Sequence, residues 1–186
     1  GNGFEENDEV GVFALVGSST MKEERYADNL RFFRTSEKVF ESSEPIYYPD
    51  DEVTLRLISY YPYQEEGVNM GESTMSVAVE TDQNLSAGYF CSDFLVASQN
   101  LQSAPKGAIA LHYDHKFFKL KIALVGKEGE ELQGILDADP KLSVCGFYTK
   151  AIYDFQKETY SAFSNEKSIT PAGKWEIQGD RLSGKE

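Results

Sequence analysis

At 186 residues the chain is long enough for one domain that buries about 70% of the surface its unfolded form exposes. It carries 31 acidic and 18 basic residues, a net charge of −13, so its field repels phosphate backbones and anionic headgroups, and nucleic acid is not an expected partner. Aromatic residues reach 13%, with 12 Phe and 11 Tyr against one Trp, which favours β structure.

No run of about 18 apolar residues is present. The first residues, "GNGFEENDEV", are not a Met followed by basic and apolar segments, so a cytosolic chain and a chain that has lost a leader both stay open. "VGVFALV" (10–16) is a continuous apolar run suited to a strand covered on both sides. In the segment after it, Thr20 and Glu23 have capping-box spacing, which predicts one or two helical turns. Leu30, Phe32, Phe33, Val39 and Phe40 sit among polar residues, as expected of two short strands with a turn near Thr35 and Ser36.

The stretch "YYPDDEVTLRLISYYPYQ" (47–64) brackets one long strand between Pro49 and Pro62, neither of which can donate to a ladder. Val53, Leu55, Leu57, Ser59 and Tyr61 project to one side and are expected to form its buried face; Thr54, Arg56, Ile58 and Tyr60 project to the other. Further strands are expected at 73–81, 88–98 and 108–126, the last with the clearest alternation in the chain: Phe118, Leu120, Ile122 and Leu124 between Lys119, Lys121 and Ala123. "GKEGEELQGILDADP" (126–140) reads as a polar connection with a short helical turn, and 141–155 as a strand or hairpin. The tail after Tyr160 is poorer in apolar residues, with Trp175 and Ile177 expected in a last strand. Strands at this spacing, without intervening long amphipathic helices, predict an all-β antiparallel sandwich in a single domain over 1–186.

Chemistry-bearing residues are few. Cys91 and Cys145 lack the CxxC spacing of zinc and redox sites, leaving two buried thiols or one disulfide. His112, Asp114 and His115 in "HYDH" suggest a metal, but on a strand residues 112 and 114 point away from 115, so no metal site is assigned. GxSxG, HExxH, GxGxxG and P-loop patterns are absent, and Asp50–Asp51 or 137–139 read as solvated turns. No catalytic residue and no cofactor are therefore assigned, and the chain is not read as an enzyme. Asn84-Leu85-Ser86 matches a glycosylation sequon whose meaning depends on a eukaryotic secretory context.

The segments "DEVGVFAL" (8–15), "YADNLRFF" (26–33), "PIYYPDDEVTLRLISYYPYQ" (45–64), "SDFLVAS" (92–98) and "IALHYDHKFFKLKIAL" (109–124) follow one another in an order that resembles the fimbrillin-like proteins. These are surface proteins of Gram-negative anaerobes. The resemblance covers 8–125 best, with 126–186 as remaining strands and tail. It implies a transthyretin-like sandwich serving as a fimbrial (pilus) subunit or related adhesin at the cell surface, exported as a lipoprotein. The implied partners are other fimbrial subunits, or a second copy, joined by strand addition after an N-terminal strand is cut away. Attachment to the outer membrane would require a lipid anchor that this chain does not carry, since no lipobox cysteine lies near its start; nor does a segment before "DEVGVF" match the strand usually processed. His115 matches the histidine of the family's "H-x-x-x-K-L" and is expected to pack rather than ligate; Asp93, Phe94 and Leu95 match "DFL" as strand and core residues. Arg25 and Arg34 are the positions an arginine-specific protease could cut. A second reading is a surface binding module for a glycan or host ligand, with Tyr48, Tyr60 and Tyr63 as stacking surfaces.

Overall fold

A computed structural model describes residues 3–49, 52–85 and 92–186. Among them the chain forms twelve strands and one short helix. The fold is all-β and its named sheets pair antiparallel, as the strand spacing predicts. The chain divides into two compact units: residues 1–77, 93–116 and 152–162 form the first, and 78–92, 117–151 and 163–186 the second.

The first unit holds a six-stranded sheet in the order β3-β2-β1-β4-β6-β7. Its strands are β1 (Glu9–Val16), β2 (Ala27–Arg34), β3 (Phe40–Glu41), β4 (Leu55–Tyr61), β6 (Leu95–Leu101) and β7 (Asp114–His115). β1 is buried at all six interior positions, in agreement with its unbroken apolar run. The turn between β2 and β3 closes where expected, with the Thr35 N–H donating to Val39 O at 2.8 Å and the Lys38 N–H to Thr35 O at 3.0 Å.

β4 departs from its expected single buried face, because Ile58 and Tyr60 are as deeply buried as Leu55, Leu57 and Tyr61. A strand in the middle of a sheet with both faces covered loses the alternation that marks a half-exposed one. On one face Phe13 of β1 stacks on Tyr60 at 5.8 Å, and Phe155 meets both rings edge-on at 5.9 and 5.7 Å. On the other, Val10, Val12, Tyr61 and Leu95 pack under Phe4, Phe40 and Ile46. Gly11 pairs with Tyr60 across the ladder, and a Cβ there would collide with the Tyr60 ring.

The segment with capping-box spacing forms turns rather than a helix. The Thr20 N–H donates to Glu23 Oε2 at 2.5 Å, one half of the box, while the Glu23 N–H donates to the Thr20 main-chain O at 3.1 Å, so a turn closes but nothing propagates from it. Instead Met21 and Arg25 turn inward and are buried. A tertiary anchor has replaced the helix.

Opposite the six-stranded sheet, the first unit places the ends of β5 (Thr74–Ala78), β9 (Tyr148–Asp154) and β10 (Thr159–Glu166), a sheet in the order β10-β9-β5 whose strands contribute residues to both units. Tyr153 and Phe155 fill the space between the layers, with Phe94 at 5.1 Å from Tyr153 and Tyr160 at 5.2 Å. This interleaving of two inner faces is the sandwich core.

The second unit contains β8 (Ile122–Val125), β11 (Glu176–Gln178) and β12 (Arg181–Lys185) in the order β11-β12-β8, together with helix α1 (Leu132–Asp137). Its large buried apolar side chains, among the described residues, are Trp175 and Leu182. The strand expected over 108–126 is here two short ones, β7 and β8, separated where the chain leaves the first unit at Lys116. The tail holds more strand than its composition suggested: β10 and β12 were not expected, and Ile177 is exposed on β11 rather than packed. The strand expected at 88–98 begins at Leu95; residues 88–91 lie outside the described residues.

Candidate functional site

The three candidate stacking tyrosines have different fates. Tyr60 is 0% exposed, so it offers a ligand no face. It sits at the centre of the paired ladder, and its hydroxyl donates to Asn29 Oδ1 at 2.6 Å and Gln64 O at 3.1 Å while accepting from the Gln64 N–H at 3.2 Å. Burial pushes its ionisation well above the ordinary phenol range. Asn29 reaches it from an irregularity in the β1–β2 ladder, at a left-handed φ of 49°. Tyr48 is half-buried beside Leu55 and Leu101, with its hydroxyl donating to Val53 O at 2.5 Å and Leu101 O at 3.2 Å. Tyr63 is half-buried, with the Arg31 guanidinium 5.9 Å from its ring centre. The bracketed stretch therefore brings no continuous aromatic platform to the surface.

His115 does not pack as expected; it is exposed, and its Nδ1 lies 2.7 Å from Asp93 Oδ1. His112 is exposed as well. The described residues contain no group of three or more His, Cys, Asp or Glu side chains placed to hold a metal ion. Phe94 and Leu95 are core residues. Cys145 is exposed rather than buried, 3.2 Å from Ser168 Oγ; Cys91 lies outside the described residues. So do Asp50, Asp51 and the serine of the sequon, whose Asn84 is exposed.

Neither arginine named as a cleavage position lies in an open segment. Arg25 has a fully buried side chain. Its Nε donates to Met21 O at 2.8 Å, Nη1 to Asp28 Oδ1 at 2.7 Å and Val68 O at 2.6 Å, and Nη2 to Asn69 O at 2.9 Å and Glu72 O at 3.0 Å. Arg34 ends β2, where its N–H donates to Asp8 O and its carbonyl accepts from the Asn7 N–H, both at 2.9 Å.

Sequence reasoning missed the exposed apolar surface of the second unit. Phe118 is 73% exposed, Val125 68% and Tyr148 54%, and Leu120, Phe147 and Ile177 are exposed too. Phe118 and Phe147 lie 5.8 Å apart, and Tyr148 and Phe163 6.2 Å apart. β8 is an edge strand, as is β10, which has seven exposed positions and one half-buried. Edge strands with apolar side chains outward are templates for pairing with further chain. The alternation at 118–124 was the available signal, but it cannot distinguish a core face from a face awaiting a partner.

The profile of the family described as Fimbrillin-like matches residues 1–186. The chain belongs to the fimbrillin-like family. Among solved structures, this fimbrillin-like chain resembles a Bacteroides uniformis protein described as a candidate cell adhesion protein, at 19% identity and a TM-score of 0.62 over 98% of this chain and 68% of that one. A Bacteroides ovatus protein with the same description gives 15% identity and a TM-score of 0.62 over the same shares. A Bacteroides ovatus fimbrial protein matches at 14% identity and a TM-score of 0.46, over 99% of this chain and 37% of that one. Comparison with curated proteins gives no match.

Proposed function

We propose that this chain acts as one fimbrillin-like domain in a non-enzymatic, cell-surface fimbrial subunit or related adhesin, which joins its neighbours by strand addition. In this reading the fold is a transthyretin-like sandwich, and the protein reaches the outer membrane of a Gram-negative bacterium as a lipoprotein. Family membership over the whole chain supports the fimbrial part. The observation that carries the assembly part is the apolar edge of the second unit, where Phe118, Leu120 and Val125 lie on and just before edge strand β8. An added strand would satisfy main-chain donors and acceptors along such an edge while its alternate side chains cover those residues.

The test is to recover the protein from its native envelope and run it in detergent with and without boiling. Strand-exchanged polymers give a ladder that collapses on heating, whereas a single band before heating overturns the assembly reading. A precursor lacking an export leader would overturn the surface location.

A further inference from the structure

One concave surface of the second unit carries charge opposite to that of the molecule. A cavity of about 780 Å³ is lined by Asn84, Lys141, Thr170, Lys174 and Lys185, with Asp139 as the carboxylate in its wall. In a chain with 31 acidic and 18 basic residues, three lysines against one aspartate reverse the bulk ratio. Asp139 is already committed, since it is ion-paired with Lys141, whose hydrogen bond holds the carboxyl below its usual range. Among the described residues Lys174 and Lys185 make no ion pair. The cavity therefore has two ammonium groups outside any ion pair, of which Lys185 also helps to hold the Asp139 carboxyl low through its charge.

Its wall is built on close backbone packing. Gly173 and Gly184, at φ 93° and 104°, abut each other's segments where any Cβ would strike a carbonyl oxygen. Trp175 is buried beside them, its indole N–H donating to Pro140 O at 2.8 Å. β12, which carries Lys185, pairs on both edges, with β11 and with β8. A peptide strand finds no open ladder on it, so recognition falls to side chains: ammonium groups, the Thr170 hydroxyl and the Asn84 amide, whose Nδ2 also donates to Asp82 Oδ1 at 3.2 Å. That set reads anionic substituents and ring hydroxyls together, and the volume suits about two or three sugar rings.

We propose that this cavity binds an anionic oligosaccharide, with Lys174 and Lys185 holding its carboxylate or sulfate groups and Asn84 and Thr170 its hydroxyls. The net charge of −13 repels extended polyanions, which confines binding to a short acidic sugar seated in the cavity.

Calorimetric titration of the whole chain tests this with four probes. Trigalacturonic acid carries carboxylates and a chondroitin sulfate tetrasaccharide adds sulfates; galactotriose has the rings without charge, and hexaglutamate the charge without rings. The expected result is binding of at least one anionic sugar, weakening as salt rises and falling about tenfold in Lys174→Ala and in Lys185→Ala. Lys174→Arg retains binding, and Lys106→Ala, in the first unit, leaves it unchanged. Absence of binding by both anionic sugars, equal binding of hexaglutamate or galactotriose, or unaltered affinity in both alanine variants with the fold intact overturns the proposal.

Discussion

All five N–H donors of Arg25 are engaged: one with Asp28, the rest with the carbonyls of Met21, Val68, Asn69 and Glu72. The side chain ties the entry to β2 to the loop at 68–72, and its guanidinium lies 5.4 Å from the centre of the Phe13 ring. Arg25→Met keeps the stem but leaves buried carbonyls without donors, and is expected to cost about 3 kcal/mol in denaturant unfolding. Tyr153 is the opposite case, a buried phenol whose hydroxyl has no partner among the described residues. Burial first, then the carboxylates of Glu158 and Asp154, push its ionisation from 10.0 up to about 12. Because the folded state favours the neutral form, this contribution is fully present below pH 10 and is lost as pH rises toward 12. Tyr60, Tyr113 and Tyr160 are shifted in the same direction. Across that window tyrosinate absorbance should rise together with loss of the circular dichroism of the sheet. Tyr153→Phe removes the unpartnered hydroxyl, and should stabilise the fold by about 1 kcal/mol and move alkaline unfolding to higher pH.

Among the elements, β4 and β8 show how alternation misleads in both directions. β4 alternates imperfectly because Ile58 and Tyr60 are apolar too, and it proves to be buried on both faces between β1 and β6. The stretch 118–124 alternates well, yet Phe118 and Leu120 are exposed while Ile122 and Leu124 are half-buried. A hydrophobic stripe records that a face is to be covered; it does not say by which chain. If β8 is an assembly edge, Val125→Lys should leave stability within about 0.5 kcal/mol of wild type, because the side chain is already in solvent. The same change should suppress self-association, through the charge it places on an edge strand. Sedimentation velocity on both proteins measures this, and equal association would remove β8 from the interface.

At the scale of the molecule, the two units differ in how much apolar surface they bury. The first encloses Phe13, Tyr60, Phe94, Tyr153 and Phe155, whereas among the described residues the large apolar side chains buried in the second are Trp175 and Leu182. Local opening free energy follows such differences. Hydrogen exchange should therefore find the amides of β1 and β4 protected at least about tenfold more than those of β8, β11 and β12. Uniform protection across all five strands would show that burial within a unit does not set its stability.

Much of the fold was legible in one dimension. The apolar run of β1, the turn after β2, the prolines around β4 and the helical turn at 132–137 are local signals, and each appears where the residues place it. Five ordered motifs carried the family, since order along a chain survives when individual residues drift. What the sequence by itself determined was therefore the all-β fold class, which follows from periodicity and punctuation within about ten residues, and the family resemblance, which rested on the order of motifs along the chain. Tertiary structure alone decided that Tyr60 is core rather than platform, that Arg25 is an anchor rather than a cleavage site, and that three lysines from separate segments meet in one cavity. Each of these depends on contacts between residues far apart in sequence, and neither periodicity nor composition encodes which distant segment arrives.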